Sequence, residues 1–335
     1  MNFSHGGDIT AFASQLNCDK KDIIDLSSNI NFIKPDIELD FNKLEISSYP
    51  NYDKLYKSVS NLYDVDSEQI ELFNGGSSAI FSLFRHFDTR HVQIYSPAYL
   101  EYKKAAVKHN YTIELINRFT DLNKYIADNS LVVFVNPSTP EGSFYHIETL
   151  MEKWISKKCT ILIDESFLDF TQAKSIAKYL KNYDKLYILK SMTKFYSSAG
   201  IRVGTVISTK ANIIKLKENE PLWKISQFDS CYIQEVLKDK KFVKISKAVN
   251  TANTEYLKRI LKEFKYTNHI FNTSANFVMV ELKTINAQQF QEVLKPYKIM
   301  IRDCSNFDFL DDSFVRIAVK SQKDLTKFKE ALECL

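Results

Sequence analysis

The stretch that decides the fold of this 335-residue chain is Ser191-Met192-Thr193-Lys194-Phe195-Tyr196-Ser197-Ser198-Ala199-Gly200-Ile201-Arg202-Val203-Gly204. It follows an apolar run at residues 186–189 that predicts a buried strand. A lysine among Met, Phe and Tyr side chains is desolvated, which lowers its pKa and lets it form a Schiff base with a carbonyl. The hydroxyls of Ser191 and Thr193 and the guanidinium of Arg202 are groups that bind phosphate. Taken alone, Lys194 is equally well explained as a surface lysine and Arg202 as an ordinary ion-pair partner.

Short apolar runs rich in Val and Ile alternate with helical stretches through the middle of the chain. They lie at residues 70–73, 92–95, 131–135, 160–163 and 186–189. This alternation predicts an α/β fold with a mostly parallel sheet covered by helices on both faces. A polar residue follows each run, and ligands in such sheets bind outside the carboxyl ends of the strands.

Asp164 directly follows the run at 160–163. A carboxylate at the end of a buried strand is costly unless it meets a cation, and a protonated pyridine nitrogen is one such cation. The alternative is that Asp164 caps the next helix.

Two loops also follow strand-like runs. Asn74-Gly75-Gly76-Ser77-Ser78 offers backbone N–H groups at a helix start, where phosphate binds, although a plain turn explains it equally well. Asn136-Pro137-Ser138-Thr139-Pro140-Glu141-Gly142 places an asparagine at a strand end, where its amide can donate to a ligand oxygen. The two prolines stiffen this loop, and a rigid turn is again the alternative.

The composition excludes several classes of protein. The chain is 44% hydrophobic and 26% charged, which is globular usage, and its net charge of +4 is too small for a nucleic-acid-binding protein. No apolar stretch is long enough to span a membrane, and residues 1–7 do not resemble a signal peptide, so we expect a cytoplasmic protein. Five scattered cysteines and six scattered histidines predict neither disulfides nor a metal site.

The last hundred residues have a different pattern. A helical stretch at about 229–265 precedes strand-like runs at 276–282, 299–302 and 314–319 and a final amphipathic helix at 323–335. This predicts a small α+β domain. We expect residues 1–35 to be an N-terminal segment packing on that small domain, residues 36–225 to form the large domain and residues 226–335 the small one.

Taken together and in this order, the motifs resemble those of the fold-type I pyridoxal-phosphate enzymes, the aspartate aminotransferase superfamily. The resemblance covers residues 25–319 and rests on Ser-x-x-Lys with an arginine eight residues after the lysine, preceded by Asp-Glu-Ser-Phe and Asn-Pro-x-x-Pro-x-Gly. It implies a large domain with a mostly parallel seven-stranded sheet and pyridoxal 5'-phosphate as the cofactor.

The resemblance also implies roles for individual residues. Lys194 carries the cofactor as a Schiff base, Asp164 pairs with the pyridine nitrogen, Asn136 contacts the ring hydroxyl and Tyr99 stacks on the ring. The cofactor phosphate is held by Gly75, Gly76, Ser77, Ser191, Thr193 and Arg202. Tyr49 resembles the tyrosine that reaches the neighbouring subunit's cofactor phosphate, which implies a homodimer with shared active sites. At the position of Phe167, the family's aminotransferases usually have a tyrosine that donates a hydrogen bond to the ring hydroxyl. A phenylalanine cannot donate this bond.

Within the superfamily the chain is most similar to the threonine-phosphate decarboxylases and next to the histidinol-phosphate aminotransferases. The similarity to the former lies in His5-Gly6-Gly7-Asp8, in residues 25–31 and in residues 301–307 with 314–319. It implies that Arg316 binds a substrate carboxylate. It also implies contacts to the substrate's phosphate or carboxylate from His5, Gly6, Asn31 and Arg302.

We therefore expect a decarboxylase of O-phospho-L-threonine or O-phospho-L-serine. An aminotransferase acting on a phosphorylated substrate such as histidinol phosphate is the alternative, because the same residues serve both reactions. A non-catalytic cofactor-binding or regulatory protein is a third reading, disfavoured because Lys194 is present.

Overall fold

The computed structural model describes residues 6–334 of the chain. Its strands are β1 Ile24–Asp25, β2 Ile70–Phe73, β3 His91–Ser96, β4 Thr112–Asn117, β5 Leu131–Val135, β6 Thr160–Asp164, β7 Leu186–Ser191, β8 Gly204–Ile207, β9 Thr267–Ile270, β10 Phe277–Leu282, β11 Ile299–Met300, β12 Arg302–Asp303 and β13 Phe314–Ala318. Its α-helices are α1 Ile9–Leu16, α2 Asp53–Tyr63, α3 Gly75–His86, α4 Leu100–Lys108, α5 Glu148–Ser156, α6 Lys210–Lys217, α7 Gln227–Val236, α8 Lys240–Glu263, α9 Ala287–Leu294 and α10 Gln322–Glu333.

A seven-stranded sheet forms the centre of the large domain, in the order β2-β8-β7-β6-β5-β3-β4. Only β8 runs antiparallel to its neighbours β7 and β2, and the remaining pairs are parallel. The predicted α/β fold with a mostly parallel sheet is confirmed. The sequence pattern showed five of the seven strands. The pattern did not predict β4, an edge strand that includes the charged Glu114, or β8, which has only four residues.

Both faces of this sheet are buried. Alternate residues of β5 enter different apolar clusters, with Val132 and Phe134 in one and Leu131, Val133 and Val135 in the other. Every residue of β5 is buried. Burying an apolar side chain of this size stabilises a fold by about 1.5–3 kcal/mol, so the five-residue run of β5 contributes strongly to the core.

The small domain is built on the four-stranded antiparallel sheet β12-β13-β10-β9. The apolar run at 299–302, expected as one strand, is divided, since β11 pairs with β1 while β12 pairs with β13. At the division the Ile301 N–H donates to Gln291 Oε1 at 2.8 Å instead of to a strand. Through β1, the N-terminal segment adds to the small domain, and Leu26 joins its apolar cluster.

The helical stretch expected at 229–265 is two helices. The break lies between α7 and α8, where the Asp239 side chain accepts a hydrogen bond from the Phe242 N–H at 2.8 Å and caps α8. Ile233 and Phe242 pack in the large-domain core, whereas Leu257 and Ile260 pack in the small-domain core. Helix α8 therefore spans both cores, and the division at residue 225 stays a prediction.

Within residues 6–334, no helix combines the length and the apolar composition that crossing a bilayer requires.

Candidate active site

A cavity of about 280 Å³ lies where the carboxyl ends of β6 and β7 face β12 and β13. Its walls come from both domains and from the N-terminal segment. Twelve residues singled out in the sequence line it: Gly6, Gly76, Ser77, Tyr99, Asp164, Phe167, Ser191, Thr193, Lys194, Arg202, Arg302 and Arg316. Further lining residues include Asn29, Ile80, Thr139, Ser166, Leu189 and Phe307.

One end of the cavity is a cradle at the start of α3. Gly75 has φ +80°, and a Cβ there would lie 2.4 Å from Arg202 Nη2, so only glycine lets the guanidinium approach. A Cβ at Gly204 would lie 2.7 Å from the Gly75 carbonyl carbon, which holds the turn against β8. The first turn of α3 lies against Ser191 at the cavity. Because the Asn74 side chain makes no capping bond to α3, the N–H groups of this helix end are available to an anion.

Asp164 ends β6 with its carboxylate almost fully buried. Its Oδ1 accepts a hydrogen bond from the Ser166 N–H at 2.8 Å, and its Oδ2 accepts one from the Tyr102 hydroxyl at 2.7 Å. Both donors are neutral. The carboxylate therefore faces the cavity with its negative charge uncompensated by either of its hydrogen-bond partners.

Lys194 lies in the loop between β7 and β8. Burial lowers its pKa from the ordinary 10.5; the Asp164 carboxylate opposes this shift, while Arg316 and Arg202 add to it. The Lys194 Nζ lies 5.4 Å from the centre of the Phe167 ring. These surroundings increase the fraction of Lys194 that carries a neutral, nucleophilic amine.

Two arginines project into the cavity from the small sheet. Arg302 and Arg316 are directly opposite each other on β12 and β13 and are both buried. Arg316 Nη1 donates to Thr139 Oγ1 at 3.1 Å and Nη2 donates to the Ser27 carbonyl at 3.2 Å, while Arg302 Nη2 donates to Asn306 Oδ1 at 2.7 Å. Burial lowers the pKa of Arg316 to about 10.

The cavity is strongly cationic. Lys194, Arg202, Arg302 and Arg316 line it, and Asp164 is the one acidic residue among the described lining residues. Buried cations need anionic partners, so this cavity suits a ligand set with several negative charges.

The contact from Asn136 to the cofactor ring hydroxyl stays a prediction. Asn136 does not line the cavity: its Nδ2 donates to the Tyr145 carbonyl and its Oδ1 accepts from the Tyr145 N–H, both at 2.9 Å. These two bonds close the loop that follows β5. The loop instead presents Thr139 to the cavity. The signal was present in the sequence as a hydroxyl residue between two prolines, but only the fold shows which residue of the loop points inward.

Two other predicted contacts, those of Asn31 and Tyr49, do not fall in this cavity. Asn31 is buried beneath the lysine loop, where its Nδ2 donates to the Phe195 carbonyl and Ser246 Oγ, so it supports Lys194 rather than lining the substrate site. Tyr49 lies outside the cavity of its own chain, 74% exposed and stacked on Trp223 with ring centres 4.0 Å apart. His5 lies outside the described residues.

The parts of pyridoxal 5'-phosphate have counterparts in the cavity. The cradle at Gly75 that a Cβ would fill, together with Arg202, suits the phosphate group. The buried Asp164 carboxylate suits a protonated ring nitrogen, and Lys194 suits the aldehyde. The residues present therefore fit this cofactor.

A site of this kind, on this fold, belongs to the pyridoxal-phosphate-dependent enzymes of fold type I. The chain is a member of the aminotransferase class I and II family, whose model matches residues 21–335, and pyridoxal 5'-phosphate is its cofactor.

The similar proteins include named decarboxylases and named aminotransferases. "Putative threonine-phosphate decarboxylase" from Caldanaerobacter subterraneus subsp. tengcongensis is 30% identical, over 92% of this chain and 89% of the relative. The adenosylcobalamin biosynthesis bifunctional protein CobDQ from Leptospira interrogans is 28% identical over 98% of this chain, which spans 40% of that relative. The crystal structure of the histidinol-phosphate aminotransferase from Clostridium acetobutylicum has a TM-score of 0.79 at 30% identity, over 86% of this chain and 90% of that one.

Proposed function

We propose that this enzyme decarboxylates a phosphorylated hydroxy-amino acid, O-phospho-L-threonine or O-phospho-L-serine. The products are CO2 and a phosphoamine, aminopropanol phosphate or ethanolamine phosphate. The observation that carries the proposal is the pair of buried arginines Arg302 and Arg316, which lie opposite each other on β12 and β13. Both arginines line the cavity, and with Arg202 assigned to the cofactor phosphate, their two positive charges suit a substrate with two anionic groups, a carboxylate and a phosphate.

The named relatives support this substrate class. The relative from Caldanaerobacter is named a putative threonine-phosphate decarboxylase. The name of the relative from Leptospira assigns it to adenosylcobalamin biosynthesis. A phosphoamine for that biosynthesis is therefore the product that we propose first.

Each charged residue of the cavity has a separate role in the proposed reaction. Arg316 binds the substrate carboxylate, and Arg302 binds the phosphate, so the bond from Cα to the carboxylate is held in one orientation. When bound, pyridoxal phosphate supplies an electron sink for the electron pair left when CO2 departs. Asp164 holds the proton on the ring nitrogen. Lys194 Nζ, which gains a proton from the substrate's ammonium group, delivers that proton to Cα, so that a C–H bond replaces the C–C bond that broke.

Phe167 favours decarboxylation over transamination. It is buried against Phe277, with ring centres 5.1 Å apart, and offers no hydrogen bond. The aminotransferase alternative, with histidinol phosphate as substrate, is supported by the similarity to the Clostridium acetobutylicum structure. The two functions differ in whether a keto acid is needed.

Product analysis by mass spectrometry tests the proposal. Cofactor-loaded protein is incubated with each phosphoamino acid without a keto acid, and we expect the corresponding phosphoamine and CO2. Turnover that appears only with histidinol phosphate and 2-oxoglutarate would establish the alternative instead. Lys194→Ala should abolish turnover and borohydride trapping of the cofactor. Lys174→Ala, at an exposed lysine outside this cavity, is the matched control and should leave both unchanged.

We also propose a homodimer with shared active sites. Exposed apolar side chains occur on two neighbouring segments: Phe41, Ile46, Tyr49, Leu222 and Trp223. The stacked pair of Tyr49 and Trp223 connects the two segments, and a second copy of the chain that covers them would bring Tyr49 to the partner's cofactor phosphate. Sedimentation equilibrium and the cofactor affinity of Tyr49→Phe test this, and a monomer with full cofactor affinity would refute it.

A further inference from the structure

We propose that Tyr102 is a positioning residue for Asp164, holding its carboxylate in the orientation that the cofactor ring needs. Tyr102 lies on α4, three residues after Tyr99, and does not line the cavity. Its hydroxyl donates to Asp164 Oδ2 at 2.7 Å, and both side chains are buried. This inference rests on the proposed function and adds a residue that the sequence motifs did not indicate.

Two hydrogen-bond donors fix the geometry of the Asp164 carboxylate. Asp164 Oδ1 receives the Ser166 N–H and Oδ2 receives the Tyr102 hydroxyl, so each oxygen has a donor fixed by the fold. Two donors on different oxygens prevent the carboxylate from rotating. Each oxygen can accept a second hydrogen bond, and Asp164 lines the cavity, so a protonated ring nitrogen can still be bound.

The Tyr102 hydroxyl is the donor in its hydrogen bond with Asp164. Burial raises the pKa of Tyr102 well above 10, and the nearby Asp164 charge raises it further, so the phenol remains a donor across the working pH range. The Tyr102 hydroxyl therefore donates to Asp164 Oδ2, and the carboxylate accepts. A hydrogen bond donated to a carboxylate favours its charged form.

Tyr111 provides a matched control for the structural role of a buried tyrosine. It packs in the same apolar cluster as Tyr102, and both rings contact Phe84. Its hydroxyl donates at 2.8 Å to the Phe84 backbone carbonyl, not to a site residue. Replacing either tyrosine by phenylalanine removes one buried hydroxyl from the same core, but only one of the two touches Asp164.

The test compares Tyr102→Phe with Tyr111→Phe. The first readout is the dissociation constant of pyridoxal 5'-phosphate, measured by visible absorbance on titration. The second is the pH dependence of the visible absorption band of the loaded protein. We expect Tyr102→Phe to weaken cofactor binding about tenfold, the scale of one hydrogen bond to a charged group, and to shift the pH profile of the band. Tyr111→Phe should leave both readouts unchanged, and thermal unfolding of both variants reports any general loss of stability.

A double-mutant cycle with Asp164→Asn separates the hydrogen bond from packing. If Tyr102 acts through Asp164, Tyr102→Phe should have no further effect on the absorption profile when Asp164 is already replaced. Equal effects in both backgrounds, or a Tyr102→Phe variant with the affinity and pH profile of the original protein, would overturn the inference. Because both readouts use the cofactor without substrate, failure of the proposed decarboxylation would leave this result interpretable.

Discussion

The Arg316 guanidinium donates a hydrogen bond from Nη1 to Thr139 Oγ1 at 3.1 Å and thereby joins the small sheet to the loop after β5. Both residues are buried, and Arg316 Nε has no hydrogen-bond partner among residues 6–334. The fold therefore holds Nη1 and Nη2, while Nε is a buried donor with no acceptor in the described part of the chain. A substrate carboxylate is the acceptor that we propose.

Thr139→Val removes the hydroxyl and keeps the shape of the side chain. We expect KM for the phosphoamino acid to rise about tenfold, because the lost bond involves a charged group whose orientation it controls. Steady-state kinetics measure this, and Thr139→Ser, which keeps the hydroxyl, should retain most of the original KM. A Ser variant as impaired as the Val variant would assign the effect to the methyl group and to packing.

Gly75→Ala should weaken cofactor binding and destabilise the protein. The new Cβ would lie 2.4 Å from Arg202 Nη2, and φ +80° disfavours alanine by about 1–2 kcal/mol. Gly200 is the matched control, because a Cβ there meets nothing within 4 Å. Cofactor titration and urea denaturation compare the two variants. If Gly75→Ala bound the cofactor as tightly as Gly200→Ala, the cradle would not be the phosphate site.

Lys194→Met should stabilise the cofactor-free protein at neutral pH. The folded state lowers the pKa of Lys194 below 10.5, so between the lowered pKa and 10.5 the unfolded chain binds more protons. The stability of the original protein then rises with pH relative to the variant, and the advantage of Lys194→Met shrinks as the pH approaches 10.5. Urea midpoints at several pH values measure this difference. A constant difference across that range would show that Lys194 is not desolvated, and Lys174→Met, at an exposed lysine, should show no such trend.

Lys190→Met should destabilise the protein, whereas Lys194→Met should stabilise it. Lys190 is buried and lies close in sequence to the loop that carries Lys194. Its Nζ pairs with Glu165 Oε2 at 2.6 Å on the other face of β7, and both side chains are almost fully buried. Removing one partner of a buried ion pair costs about 3–5 kcal/mol because a charge is left uncompensated. Denaturant unfolding checks this, and adding Glu165→Gln should recover most of the loss. A double variant no more stable than the single one would mean that packing, not charge, causes the effect.

The parts of the site that lie at strand ends were predictable from the sequence. Asp164 and Ser191 are the last residues of β6 and β7, Lys194 follows three residues after Ser191, and parallel strands bring their carboxyl ends to one edge of a sheet. Arg302 and Arg316 were predicted by resemblance only, since nothing in local pattern reveals that residues 14 positions apart stand opposite each other on two antiparallel strands.

Local sequence determined the strand runs, the turn glycines and the order of the motifs, because periodicity and backbone conformation depend on near neighbours. The tertiary structure decided which side chains of those motifs meet. It paired Asn136 with the Tyr145 backbone, pointed Thr139 into the cavity, placed Asn31 beneath the lysine loop, and brought Tyr102 to Asp164 across 62 positions of the chain. These choices depend on contacts between segments that are distant in sequence, and a hydrogen bond over such a separation leaves no pattern in the residues around either partner.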